Sequence, residues 1–209
     1  MSETLPKPPR RCTPNQFYTE YLPDLWHSIV GNSPPALPLA IEAEATIEAA
    51  DSSETFRISF TGGTLSTAAE AAAAPVVSCS CALEQWRTLV RDTWPQLLRH
   101  LQDQLPAMRA HLERVSRGEA PVLEPDRLRS MPGIVDVHYT DDAGDEAHLR
   151  FRIDSGQGPQ AYVSLTERDL YQLVAAPGDL TKLLRSRLRV GGDAAYVIAL
   201  SRVLTPAGA

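Results

Sequence analysis

The sequence predicts an α+β fold in which helices cover one face of a mainly antiparallel sheet. Short segments of alternating apolar and polar residues recur along the chain and indicate half-buried strands. Between them, apolar residues at every third or fourth position indicate helices. The order strand, turn, strand, connector, strand, helix occurs in residues 39–90 and again in residues 135–174. This repetition predicts an internal duplication.

The first elements follow from helical spacing and from alternation. Aromatic and apolar residues at steps of three and four predict a helix over residues 17–30, broken or restarted near Pro23. Residues 39–47 alternate cleanly and predict the first strand. A second strand is predicted around residues 56–60, because its apolar positions also alternate before a Gly-Gly pair.

The third strand of the first half follows an alanine-rich connector at residues 66–74, which we expect to be a helical turn or a disordered loop. Its sequence VSCSCALEQWRTLV aligns without a gap with YVSLTERDLYQLV of the second half, so that Cys79 stands opposite Val163. The second strands also align, with Phe56 opposite Leu149. The duplication therefore predicts that each of these residue pairs occupies equivalent positions in the two halves.

Leu83 to Val115 is the longest periodic segment and predicts one helix that spans both halves. Pro95 would remove an interior hydrogen bond, and Thr93 with Gln96 matches a capping box around it. The helix is therefore expected to break or kink there, with Thr93 as the cap of the second part.

The second half repeats the strand pattern at residues 135–139, 149–153 and 161–165. Thr166 and Asp169 have the spacing of a helix cap, and Asp193 precedes a last apolar helix that it can cap. Between these helices, residues 188–190 alternate apolar and basic side chains and predict a short strand ended by a Gly-Gly pair.

The stretch AYVSLTERDLYQLV, followed by LTKLLRSRLRVGGDAAYVIAL, resembles the C-terminal half of the sterol carrier protein lipid-transfer family. The resemblance is strongest over residues 133–204 and implies a lipid, sterol or other apolar ligand held between sheet and helices. The residues that match the lining of such a space, each of which is equally compatible with ordinary core, are Val163, Leu165, Leu173, Leu183, Leu184, Val190, Val197 and Leu200.

Duplication and resemblance together predict the domain organisation. Residues 1–16 read as a flexible tail, residues 17–94 as a degenerate first copy, residues 95–205 as the complete copy and residues 206–209 as a second tail. Proline and charge at the N-terminus replace the apolar core of a signal peptide. The three cysteines form no disulfide framework, so a reducing, cytoplasmic location is expected.

A basic cluster lies within the region of resemblance, with no acidic residue between its members. The simpler expectation is a solvated face, and the functional expectation is attraction to anionic lipid head groups or to an acidic partner. Its members, expected to form a basic rim, are Lys182, Arg185, Arg187 and Arg189.

No motif for catalysis, phosphate binding or dinucleotide binding is present, so the sequence predicts neither an enzyme nor a cofactor. Cys79 and Cys81 lack the further ligands of a tetrahedral metal site, and no metal is expected. The net charge of −6 argues against a nucleic-acid partner.

Two functions remain open. In the first, the protein carries an apolar ligand and makes transient contact with anionic membranes. In the second, the same fold has a filled cavity and serves as an interaction or assembly module, with a protein partner or a second copy of itself.

Overall fold

The computed structural model describes residues 4–31, 35–175 and 180–204. The tail expected at residues 206–209 and the first three residues of the N-terminal tail lie outside this range. The helices are α1 (residues 14–30), α2 (residues 83–116), α3 (Pro125–Arg129), α4 (Glu167–Ala175), α5 (Leu180–Ser186) and α6 (Ala194–Leu204). The strands are β1 (Ala40–Ala49), β2 (Ser52–Thr61), β3 (Thr64–Ala68), β4 (Val77–Ala82), β5 (Gly133–Thr140), β6 (Glu146–Ile153), β7 (Gln160–Thr166) and β8 (Arg189–Gly192).

All eight strands belong to one mixed sheet with the order β3-β2-β1-β4-β6-β5-β7-β8. Two neighbouring pairs, β1 with β4 and β5 with β7, are parallel, and the other five pairs are antiparallel. The expected α+β class with a mainly antiparallel sheet is therefore confirmed. The halves meet where β4 pairs with β6, so they share one sheet rather than forming two.

Three strands of each half have the same order, β2-β1-β4 in the first half and β6-β5-β7 in the second. In each half the third of these strands runs parallel to the first strand of the hairpin and leads directly into a helix, and β3 intervenes in the chain only in the first half. Residues aligned from the sequence also occupy equivalent cross-strand rows. The row of the first half is Phe56, Ala45 and Cys79, and that of the second half is Leu149, Val137 and Val163.

One face of the sheet is mainly apolar, because side chains alternate along each strand and these rows keep apolar residues in phase. Two cores form on that face. The N-terminal core is rich in aromatic side chains from α1, α2 and the first strands, including Phe17, Phe56 and Trp86. The C-terminal core is mainly aliphatic and is closed by α5 and α6, with Leu184 and Leu200 among its members.

Helices α1 and α2 each contain a π turn followed by proline. In α1 the turn is Phe17–Tyr21 before Pro23, and in α2 it is Leu89–Thr93 before Pro95. A proline ring conflicts with the carbonyl four residues earlier in a regular α-helix. The wider π turn relieves this conflict, so each expected interruption occurs without ending its helix.

The predicted capping role of Thr93 is wrong. Its backbone is helical, and its side chain makes no cap bond. The side chain is 2% exposed, and its hydroxyl lies 3.1 Å from the hydroxyl of Tyr139 on β5. Since the helix continues through this point, Thr93 links α2 to the second half of the sheet. By contrast, the caps predicted at Thr166 and Asp193 are present.

The alanine-rich connector also differs from its expectation. Its first part belongs to β3, which pairs with β2 and forms one edge of the sheet. The sequence of this strand, TLSTA, has one large apolar side chain, so its alternation carries little signal. The boundary expected between residues 94 and 95 falls inside α2, which also contacts α4 through the rings of His100 and Tyr171.

Candidate functional site

The eight residues predicted to line an apolar ligand space come together in the C-terminal core. Five of them are buried and three are partly buried against it. The buried five are Val163, Leu183, Leu184, Val197 and Leu200. The partly buried three are Leu165, Leu173 and Val190.

Polar contacts hold this core closed around the apolar side chains. The hydroxyls of Thr181 on α5 and Ser201 on α6 lie 2.9 Å apart. At the other end of α6, the carboxylate of Asp193 accepts the backbone N–H of Tyr196 at 2.9 Å, and the phenol of Tyr196 donates to the carbonyl of Met131 at 3.0 Å. Three surface cavities described below are lined by none of the eight predicted residues.

The four cations of the expected basic rim are all exposed but do not form one patch. Lys182 and Arg185 belong to α5, on the apolar side of the sheet. Arg189 is on β8, where alternation with Val190 places it on the opposite, polar face. The guanidinium of Arg187 donates to the side-chain oxygen of Gln172 at 2.8 Å.

The polar face contains a stacked histidine pair that the sequence alone did not identify. His138 and His148 are opposite each other on β5 and β6, and their ring centroids are 4.6 Å apart. An Asp136 carboxylate oxygen lies 3.3 Å from Nε2 of His148 and accepts from Arg150 at 2.8 Å. The hydrogen bond from Arg150 lowers the pKa of Asp136. The pair could have been found only from the register of β5 and β6, because neither histidine alone shows which residue lies opposite it.

Arg189 joins these histidines in lining a polar cavity of about 380 Å³. The lining also includes Glu146, so the cavity combines one cation with one carboxylate and offers hydrogen-bonding groups. In residues 4–31, 35–175 and 180–204, no three His, Cys, Asp or Glu side chains are grouped to hold a metal ion. Over the same residues, no helix combines the length and the apolar character that a membrane span requires.

Cys79 and Cys81 are free thiols on the apolar side of β4. Burial raises the pKa of Cys79 to about 12 and that of Cys81 to about 11. A thiol with a raised pKa is a weak nucleophile at neutral pH, because the thiolate is the reactive form. Both residues therefore serve as small apolar side chains of the sheet.

A larger cavity, here named the N-terminal groove, lies between residues 7–14 and the start of α2 and has a volume of about 580 Å³. Its apolar lining includes Trp86, Val90 and four prolines. Its basic lining consists of Lys7, Arg10, Arg11, Arg87 and Arg91. The sequence did not predict this site because residues 1–16 were interpreted as a flexible tail.

The wall formed by the N-terminal segment is attached on both sides of the basic residues. Leu5 is buried, and its backbone N–H donates to the Gln102 side chain at 2.6 Å. The phenol of Tyr21 donates to the Pro6 carbonyl at 3.0 Å and accepts from the Trp94 indole at 2.8 Å. After the basic residues, Thr13 and Gln16 form a reciprocal cap at the start of α1. The groove thus has two fixed walls.

A neighbouring cavity of about 320 Å³ shares Lys7 and Pro95 with the N-terminal groove. It continues along α2 toward Gln102 and Asp103. The chain matches no protein-family model, no curated protein and no solved structure, so its function is inferred from these surfaces and from its core.

Proposed function

We propose that this protein is a non-enzymatic interaction module built on a fold similar to that of the sterol carrier family, with the ligand space filled by its own side chains. The observation that carries this proposal is the packing of all eight predicted lining residues into one apolar core. Contact among these side chains supports a filled space, because an acyl chain or a sterol would have to displace them in order to bind there. Recognition is then assigned to the surface.

The two sheet cysteines support a packing role rather than a nucleophilic one, because burial raises the pKa of both thiols. All three cysteines are free, and a reducing, cytoplasmic compartment is part of the proposal.

Lipid carriage is the second candidate, and one observation favours it. Leu165, Leu173 and Val190 are only partly buried at the margin of the C-terminal core. A ligand that displaced these side chains would enter where the resemblance places it. In that case Arg185, Arg187 and Arg189 would attract anionic membranes, and their replacement by Gln would slow lipid uptake from anionic vesicles.

The two candidates are separated by mass spectrometry of an organic extract of the purified protein, together with titration of a fluorescent fatty acid. The interaction module carries no lipid and gives no saturable binding. Under the carrier alternative, lipid is recovered, and Leu173→Trp reduces fatty-acid binding while the circular dichroism spectrum is retained. Saturable binding by the unaltered protein that Leu173→Trp weakens would contradict the filled core.

We also propose that the sheet arose by duplication of one structural unit. Support comes from two aligned segments, which are separated by a connector that is longer in the first half. The second strands pair Phe56 with Leu149, and the third strands with their helices, aligned without a gap, pair Cys79 with Val163. These residues hold equivalent positions in their cross-strand rows. The test is a rigid superposition of residues 39–90 on residues 135–174. A helix start that failed to coincide once the three strands were matched would argue for convergence.

A further inference from the structure

The N-terminal groove is basic, although the molecule as a whole is acidic. The chain has a net charge of −6, yet the groove is lined by five cations and by no carboxylate. Arg87 forms an ion pair with Glu84 at 2.5 Å, and Arg91 forms one with Asp92 at 2.6 Å. Neither of these two carboxylates lines the groove. Among the described residues, Lys7, Arg10 and Arg11 have no carboxylate partner.

The cations stand on both walls of the groove. Lys7, Arg10 and Arg11 are on the N-terminal segment, whereas Arg87 and Arg91 are on α2. A ligand with one acidic group would engage only part of this set. A ligand with several carboxylates along its length would meet positive charge on either side, which raises both its association rate and its affinity.

The floor of the groove is apolar. Trp86 and Pro14 are buried beneath it, and Val90 and Pro95 are partly exposed to it. Such a surface can bind an apolar side chain of the ligand, while the cations around it pair with the ligand's acidic side chains. The shared boundary with the adjacent cavity at Lys7 and Pro95 extends the surface along α2 and suits an elongated ligand.

We propose that the N-terminal groove binds an acidic peptide segment of a partner protein, in which carboxylates flank an apolar side chain. This proposal rests on the proposed function as an interaction module. Charge complementarity favours such a peptide over a nucleic acid, because the remaining surface of the acidic protein repels a long polyanion. It also favours the peptide over a fatty acid, whose single carboxylate can engage only part of the five cations that line the groove.

The test uses the full chain and a short synthetic peptide in which Glu and Leu alternate, with affinity measured by isothermal titration calorimetry. A Lys/Leu peptide controls for charge, and a Glu/Ser peptide controls for the apolar contact. We expect the Glu/Leu peptide to bind most tightly, the Glu/Ser peptide more weakly and the Lys/Leu peptide not at all. Added salt weakens the interaction because the cations are exposed.

The decisive variant is Arg10→Glu combined with Arg11→Glu, which reverses two unpaired charges. Its affinity for the Glu/Leu peptide should fall by roughly tenfold or more. The matched control is Arg168→Glu combined with Arg202→Glu, which changes the net charge equally at exposed positions outside the groove lining. Circular dichroism checks that both variants are folded, and equal losses in both would overturn the proposal.

Cys12 gives a local readout, since it lines the groove and is partly exposed, whereas Cys79 and Cys81 belong to the sheet. The bound peptide should slow alkylation of Cys12, followed by mass spectrometry. Binding without this protection would overturn the assignment to the groove.

Other occupants are distinguishable outcomes. If anionic vesicles, a fatty acid or single-stranded DNA bind at the groove and the Glu/Leu peptide does not, the peptide proposal is wrong. If the purified protein carries no lipid and does not bind the Glu/Leu peptide, the groove proposal is wrong and the filled-core proposal stands. If lipid is recovered from the protein and the peptide also binds, the proposed function is wrong and the groove proposal stands.

Discussion

The two halves of the sheet place a basic residue at the same position and use it differently. In the second half, Arg150 stands opposite Asp136 on the neighbouring strand and donates to it at 2.8 Å. In the first half, Arg57 likewise stands opposite Glu44, but its closest ion pair is with Glu70 at 2.6 Å.

The carboxylate of Glu44 accepts instead the backbone N–H of Ala72 at 3.1 Å, within the longer connector of the first half. In the first half, both members of the pair therefore make their closest contacts with the longer connector. The three matched strands have the same order in both halves while their polar partners differ, because register is set by the apolar face and the polar side chains are free to contact other groups. The cores differ in the same way, one being aromatic and the other aliphatic.

The largest effect should come from matched truncations in equivalent rows. Phe56 is 1% exposed and stacks on Tyr18, so Phe56→Ala should lower the free energy of unfolding by about 3–5 kcal/mol. Leu149 is partly exposed, and Leu149→Ala should cost about 2 kcal/mol. Urea denaturation followed by circular dichroism measures both, and equal losses would show that the two rows are buried alike.

Alkaline pH should lower the stability contributed by the row that contains Cys79 more than that contributed by the row that contains Val163. Burial raises the pKa of Cys79 from 9.0 to about 12, so the unfolded chain loses this proton first as the pH rises. The stability contribution is complete below pH 9 and is lost progressively toward pH 12.

Cys79→Ala should therefore flatten the pH dependence of the free energy of unfolding over this window. Val163→Ala, at the equivalent position, should lower stability without changing that dependence. Urea titrations at a series of pH values supply the slopes. An unchanged slope in Cys79→Ala would show that other groups govern the alkaline transition.

The link between the halves should be weaker than either core. Thr93→Val and Tyr139→Phe each remove one hydroxyl of a buried hydrogen bond and should cost about 1 kcal/mol. The double variant should cost less than the sum, since both changes remove the same interaction. Strict additivity in urea denaturation would mean that the two hydroxyls do not act as a pair.

The smallest effect should come from the polar face. Arg150→Gln should lower stability by at most about 1 kcal/mol, because its ion pair with Asp136 is partly exposed and screened by water. Since Arg150 lowers the pKa of Asp136, this contribution is present above the ordinary carboxylate pKa of 3.8 and is lost as the pH falls. Arg57→Gln is the matched variant. Its effect on the free energy of unfolding should depend on pH differently, because Arg57 pairs with Glu70 rather than with Asp136.

Sequence patterns predicted the elements whose burial is periodic. Alternation predicted the strands that carry Phe56 and Cys79, because period-two burial is visible in the sequence, whereas the row that joins these two residues follows only from the strand pairing of the structure. Strand β3 was missed because small residues in TLSTA give almost no alternation. The role of Thr93 was missed because a capping pattern is local, whereas its partner Tyr139 is distant in the sequence.

The candidate site shows the same division. The apolar residues around Leu200 lie together in the C-terminal core, since helical and strand periodicity both point them to one side of the sheet, and their role as a ligand lining stays a prediction. The N-terminal groove was not predicted, because its wall is a proline-rich segment without periodicity, held by single bonds such as that from Leu5 to Gln102. The expected basic rim was divided because strand alternation turns Arg189 to the other face.

The π turn at Leu89–Thr93 also fixes the rotational phase of everything that follows it in α2. The π turn holds one residue more than a regular α-helical turn, and this extra residue keeps Leu98 and Leu105 on the same face as Trp86. Removing one residue from the π turn would leave a regular α-helical turn and preserve that face, although Pro95 would then conflict with a preceding carbonyl. Removing one residue from the α-helical part before Leu98 would instead turn the rest of the helix by about 100° and shift it by about 1.5 Å. Leu98 and Leu105 would rotate out of the N-terminal core, and His100 would lose the ring of Tyr171.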